Sequence, residues 1–200
     1  MITEIDHAFI SDSAFFLRTE KSCANNSAVK YIKNFGKIIR ICLANKWLTY
    51  EPFLCYDSKF VEVKRDFLDE QELFNLANKE FEIERIALVR DIFLFSCYTG
   101  LAYIDTKNLK RSNIGVGIDG NKWIFTSRQK TKTQSNIPLL LQAEEIIEKY
   151  KAHPHCGISG SLLPVLSNQK MNSYLKEIAD LWTLSPKVCK LKSLGLDFII

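Results

Sequence analysis

Cations spaced for a polyanion are the residues of this sequence best placed to do chemistry. They form two groups: Lys30, Lys33, Lys37 and Arg40 in one stretch, and Arg128, Lys130 and Lys132 at alternate positions of another. On a helix of about 100° per residue the first four fall within roughly 80° of arc, while Val29, Ile32, Phe35, Ile39 and Leu43 line the other side. No acidic residue lies between Lys21 and Tyr50. Such a stripe is either a solvated face or a face that tracks phosphates. The alternating trio is open to the same two readings. An ammonium suits the second because it can pair with phosphate and also release a proton.

Other chemistry finds less support. No carboxylate pair, nucleophile with base, or metal cluster occurs at a usable spacing, which argues against a metabolic enzyme and predicts neither a metal nor a cofactor. Gly115, Gly117 and Gly120 spell GxGxxG, but they fall in a predicted strand and its turn, whereas a dinucleotide site needs a helix amino terminus there. His153, Pro154, His155 and Cys156 read as a polar loop, since no further ligand is placed to join the two histidines.

The elements that must position the cations are mostly helical. Residues from about Thr3 to Thr19 place Ile5, Phe9, Ile10, Phe16 and Leu17 at helical spacing, and Asn25, Asn26 and Ser27 offer N-caps for a longer helix through Asn45. Glu51 to Arg65 is irregular and reads as an interdomain linker. Asp69 then caps a helix containing Glu72, Leu73 and Leu76, and Glu84 to Tyr98 form an apolar helix stopped by Gly100. A short turn of helix at Ile104 to Leu109 leads into strands at Asn113 to Ile118, Lys122 to Arg128 and Asn136 to Leu139, turning first at Asp119 and Gly120. Helices return at Gln142 to Ala152 and Gln169 to Trp182. The expected fold is mainly α with a small three-stranded antiparallel sheet.

With 200 residues, 46% of them hydrophobic, the chain can bury a sizeable core. Its net charge of +4 permits a polyanionic partner without requiring one. The six cysteines include no CxxC pair and sit mostly among apolar neighbours, as reduced thiols do. Neither a signal-length apolar run at the amino terminus nor a membrane-length stretch occurs, so the expectation is a cytoplasmic protein with no membrane segment.

One segment carries a family resemblance. Thr99, Gly100, Asp105, Leu109 and Ile114 match the TGxRxxE box of tyrosine recombinases, the phage-type integrases, with its following leucine and isoleucine. Ala102 stands where that family has its first catalytic arginine. Farther on, Lys130 precedes Ile137, Pro138 and Leu139 as the family's hairpin lysine precedes its V/I-P-L sequence. The resemblance implies that Lys130 is the general acid for the departing 5′ hydroxyl of DNA. It is closest to integrases of mobile genetic elements in anaerobic gut bacteria, a branch in which the first arginine is often absent. Arg128 or Arg111 could then supply a guanidinium to the phosphate.

The implied organisation is a partial helical, SAM-like core-binding domain over 1–62 and the amino-terminal part of an α+β catalytic domain over 63–200, with 183–200 an atypical tail. The implied partners are double-stranded DNA at attachment sites, contacted by Lys30, Lys33, Lys37, Arg40 and Lys132, and other recombinase subunits. The family continues with an HxxR box and a nucleophilic tyrosine; this chain has no histidine after His155, no arginine after Arg128 and no tyrosine after Tyr174. The expectation is a frameshifted or truncated integrase that binds DNA without cleaving it, or alternatively a non-catalytic regulator or recombinase-pairing protein. Translating the downstream DNA in the other two frames should reveal HxxR followed by a tyrosine; finding neither removes the frameshift reading.

Overall fold

The computed structural model describes residues 5–54, 56–63 and 67–182. It is mainly helical with one three-stranded antiparallel sheet, as the periodicities predict, and it divides into two compact units, Met1–Arg65 and Asp66–Ile200.

In the first unit α1 (His7–Thr19) begins at Asp6, whose carboxylate accepts the Phe9 N–H at 2.8 Å. It packs on α2 (Asn25–Ala44) through Ile10, Ala14 and Ile32, and a second cluster forms around Ile39, Cys42 and Leu48. The expected N-caps are corrected here: α2 is preceded by Ala24, with no side-chain cap, and Asn25 and Asn26 are already inside the helix. Their amides turn instead to a distant segment. Asn25 Nδ2 donates to the Lys59 carbonyl at 3.1 Å, while Asn26 donates to the Val61 carbonyl at 2.7 Å and accepts the Val61 N–H at 2.8 Å. One amide thereby satisfies both backbone polar groups of Val61. The expected linker is thus strapped to α2 as far as Val61.

The second unit is built around α4 (Glu84–Thr99), which is buried nearly all round by Ile86, Val89, Ile92, Phe93, Leu94 and Phe95, as a central helix must be. Around it lie α3 (Glu70–Asn78), with an Asp69–Glu72 capping box, then α5 (Tyr103–Asn108), α6 (Leu141–Tyr150), α7 (Pro154–Ser159) and α8 (Asn168–Leu181). Gly100 ends α4 at φ +63°, a left-handed position that glycine takes without strain. The sheet comprises β1 (Ile114–Val116), β2 (Lys122–Ser127) and β3 (Gln134–Pro138). β1 is shorter than expected at both ends: Asn113 closes a 3-10 turn, its side chain accepting from Lys110 N and donating to Phe125 O, and the hairpin turn already begins at Gly117, whose carbonyl accepts the Gly120 N–H. The polar loop expected at His153–Cys156 is corrected to the start of α7: Pro154 presets the helical φ and His153 Nδ1 accepts the His155 N–H at 3.2 Å.

A polar cluster sits inside this apolar unit. Asp91, only 4% exposed, accepts from Arg90 at 2.7 Å, from Lys149 at 2.7 Å and from the Tyr150 hydroxyl at 2.8 Å. Arg90 in turn donates to the Lys79 carbonyl, so one carboxylate ties α4 to α6 while its arginine holds the chain after α3. Among the described residues no helix is long and apolar enough to cross a membrane.

Removing one partner of a buried ion pair strands the others, so Asp91→Ala should cost about 3–5 kcal/mol in urea denaturation. Burial, and then the Asp91 charge, push the Tyr150 phenol well above its ordinary value. The folded state therefore holds that proton more tightly, and its contribution is complete below about pH 10 and lost as pH rises further. Stability measured upward from that pH should fall less steeply in Tyr150→Phe than in the parent.

Candidate nucleic-acid interface

Lys130 lies exposed in the turn between β2 and β3, and three sets of contacts fix where that turn sits. The first is apolar: Ile114, Ile124 and Ile137 stand in register, one per strand, with Ile124 wholly buried in the core of the unit. Strand alternation then sends Phe125 outward and carries β2 past the core towards the turn. The second is the buried carboxylate of Asp105 on α5, which accepts the Gln129 N–H at 2.9 Å. The third pairs side chains: Asn108 Nδ2 donates to Gln129 Oε1 at 2.6 Å, and Arg128 Nη2 donates to the Gly100 carbonyl at 3.2 Å.

These contacts bring together the two separated elements of the sequence resemblance. Asp105 occupies the acidic position of the TGxRxxE-like box, and its acceptor holds the residue immediately before Lys130. Arg128 reaches the same box at Gly100, two residues from the Ala102 position that lacks an arginine. Arg111 is committed elsewhere, donating to the Lys151 carbonyl at the end of α6. Of the two arginines raised from sequence, only Arg128 is brought to the Ala102 turn.

The turn is closed by Arg128 N donating to Thr133 O and Lys132 N donating to Arg128 O, both at 2.8 Å. Lys132 takes φ +58°, a left-handed position that costs a side chain on the order of 1 kcal/mol. Arg128 is half-buried while Lys130 and Lys132 are exposed, so the hairpin presents two free-standing ammonium groups beside one anchored guanidinium. Tyr174, the last tyrosine of the chain, lies half-buried in α8 with the Arg85 guanidinium 4.9 Å from its ring centre.

The other cations belong to the first unit. Lys30, Lys33, Lys37 and Arg40 are all exposed on α2, opposite a buried face that includes Val29, Ile32 and Ile39. Lys33 Nζ stands 4.3 Å over the Phe60 ring and Lys37 Nζ donates to Asn34 at 3.2 Å. Among the described residues no group of three His, Cys, Asp or Glu side chains could hold a metal ion. Sequence reasoning missed Gln129 and Asn108. Their only signal was adjacency to Lys130 and Asp105, since the contact between them spans 21 positions.

Residues 1–60 match the phage integrase SAM-like domain. Among solved structures, a lambda integrase (residues 75–356) dimer bound to a COC′ core site superposes with a TM-score of 0.71 at 19% identity, covering 96% of this chain and 70% of that one. The described residues share the fold of this lambda integrase structure. A lambda integrase tetramer bound to a Holliday junction gives a TM-score of 0.68 at 18% identity, and this chain spans 59% of it. No curated protein sequence matches significantly. The recombinase-like box and hairpin therefore lie on the matching fold, whereas the expectations for the 183–200 tail fall outside the described residues.

A hydrogen bond to a charged acceptor contributes about 1.5–3 kcal/mol. Asp105→Ala should therefore speed tryptic cleavage after Arg128, Lys130 and Lys132 by about tenfold or more, because cleavage follows the open population of the turn. Equal cleavage rates in parent and variant would show that Asp105 does not hold the hairpin.

Proposed function

We propose that this chain is a double-stranded DNA-binding protein of the site-specific recombinase type, acting in the integration or recombination of a mobile element in the cytoplasm. The observation that carries the reading is the docking of the Lys130 hairpin onto the Thr99–Asp105 segment through Asp105, Arg128 and Gln129. Solved lambda integrases of the same fold are dimers and tetramers on DNA, which supports attachment-site DNA and further recombinase subunits as partners here.

In this proposal Lys130 approaches the bridging oxygen of a scissile phosphate and gives its proton to the departing 5′ hydroxyl. Arg128, already beside Gly100, supplies the guanidinium that Ala102 cannot, since a planar fork suits two phosphate oxygens. Lys132 and the α2 cations Lys30, Lys33, Lys37 and Arg40 contact backbone phosphates, which set affinity and register without reading sequence. Strand cleavage further needs an attacking phenoxide. Tyr174 is packed under Arg85, and the 200 residues offer no later tyrosine. In this reading these residues supply DNA binding and the hairpin lysine; the alternative is a regulator or a non-catalytic member of a recombinase assembly.

A gel shift on attachment-site duplex should give a complex at low salt that weakens steeply at moderate salt. Changing Lys33 and Lys37 together to Glu should weaken it by at least about tenfold, since two cations facing the DNA backbone become repulsive anions. Unchanged DNA mobility with both proteins removes the DNA-binding reading and leaves only pairing with other subunits.

A further inference from the structure

The segment after α2 does more than connect the two units. Held by Asn25 and Asn26, residues 51–54 and 56–61 form a strap along α2 that converts part of its cationic face into a cleft of about 440 Å³. Ile32 and Gly36 form its floor, Lys33, Lys37 and Arg40 one side, and Phe53, Tyr56 and Ser58 the other, with Glu51 the single carboxylate in the lining. Lys30, on the same face of the helix, does not line it. The aromatic wall is fixed from behind, Phe53 standing edge-on to Tyr56 at 6.0 Å and to Phe35 at 6.1 Å. Phe60 meanwhile lies under the Lys33 ammonium at 4.3 Å, which holds that charge on the strap side of α2.

A flat lysine face needs none of this. We infer that the cleft between α2 and this strap is a built subsite for one phosphodiester of the DNA backbone, and that Asn26 and Phe60 position Lys33 for it. The inference rests on the DNA-binding reading and deepens it: it assigns one phosphate to a pocket with three cations, two aromatic walls and the Ser58 and Tyr56 side chains. Aromatic walls exclude water and strengthen the pairing of charge with charge. A phosphate held there depends on the strap as well as on the lysines, whereas a phosphate on an open helix face depends on the lysines alone.

The test is the salt dependence of binding to a short fluorescein-labelled DNA duplex, read by anisotropy, in which each phosphate contact contributes about 0.9 to the slope of log K against log salt. Lys33→Gln should lower the slope by about 0.9, and Asn26→Ala, which removes no charge, should lower it by the same amount. The double variant should lose no more than either single one, because both serve one phosphate, while Lys30→Gln combined with Lys33→Gln should lose twice as much. Phe60→Leu, which leaves the asparagine bonds intact, should reproduce Asn26→Ala and stands in for it if that variant does not fold. A slope unchanged in both Asn26→Ala and Phe60→Leu, beside a lowered one in Lys33→Gln, overturns the subsite and leaves an open cationic face. Additive losses in the Asn26→Ala, Lys33→Gln double variant overturn it as well. Absence of any duplex binding by the parent protein removes the underlying DNA-binding reading instead.

Discussion

The hydrogen bond from the Gln129 N–H to the buried Asp105 carboxylate is the contact on which the candidate site depends. A hairpin tip is ordinarily the most mobile part of a sheet, because its residues are exposed and its neighbours in sequence hold it from one side only. Here the tip is held from the other side as well, by an acceptor on α5 placed there by the left-handed turn at Gly100 and by the burial of Leu101 and Leu109. Arg128 and the Asn108–Gln129 pair add directions to the same attachment. The outcome is a lysine free at its ammonium but fixed at its backbone, which is what a group that must reach a defined atom requires.

The second unit gains its rigidity from α4. A helix buried nearly all round offers little face to adjust, so its neighbours must conform to it. The Asp91 cluster shows how the apolar packing is given a direction: one carboxylate satisfied by Arg90, Lys149 and Tyr150 fixes the rotation of α6 against α4. Misrotation of either helix would leave buried charge without partners, a larger cost than the loss of any single apolar contact. The first unit uses lighter means. Its two small clusters are closed by asparagine amides and aromatic edges, and its long helix keeps one face for cations.

Much of this was legible before the fold was seen. The helices stand out because their apolar residues recur at helical spacing, and Gly100 and Asp69 mark a stop and a start for local reasons of backbone freedom and capping. The failures are equally local in origin. Asn25 and Asn26 have the composition of N-caps, yet their partners at Lys59 and Val61 lie 34 and 35 positions away, and no window around the helix start contains them. His153 to Cys156 looked like loop because its residues are polar; a proline at the first helical position and a histidine ring accepting a backbone N–H outweighed composition.

The sequence by itself determined the elements, the helical stripe of Lys30, Lys33, Lys37 and Arg40, and the pairing of a TGxxxxD box with a downstream lysine, because period, capping and order are properties of neighbours along the chain. Tertiary structure alone decided which arginine reaches the Thr99–Asp105 segment. Arg111 and Arg128 are equally plausible in sequence, and only packing sends one to the end of α6 and the other to Gly100. It also decided that the strap after α2 is a wall and not a tether. Both outcomes turn on hydrogen bonds between residues far apart in sequence, whose geometry exists only once apolar burial has set the distances between elements.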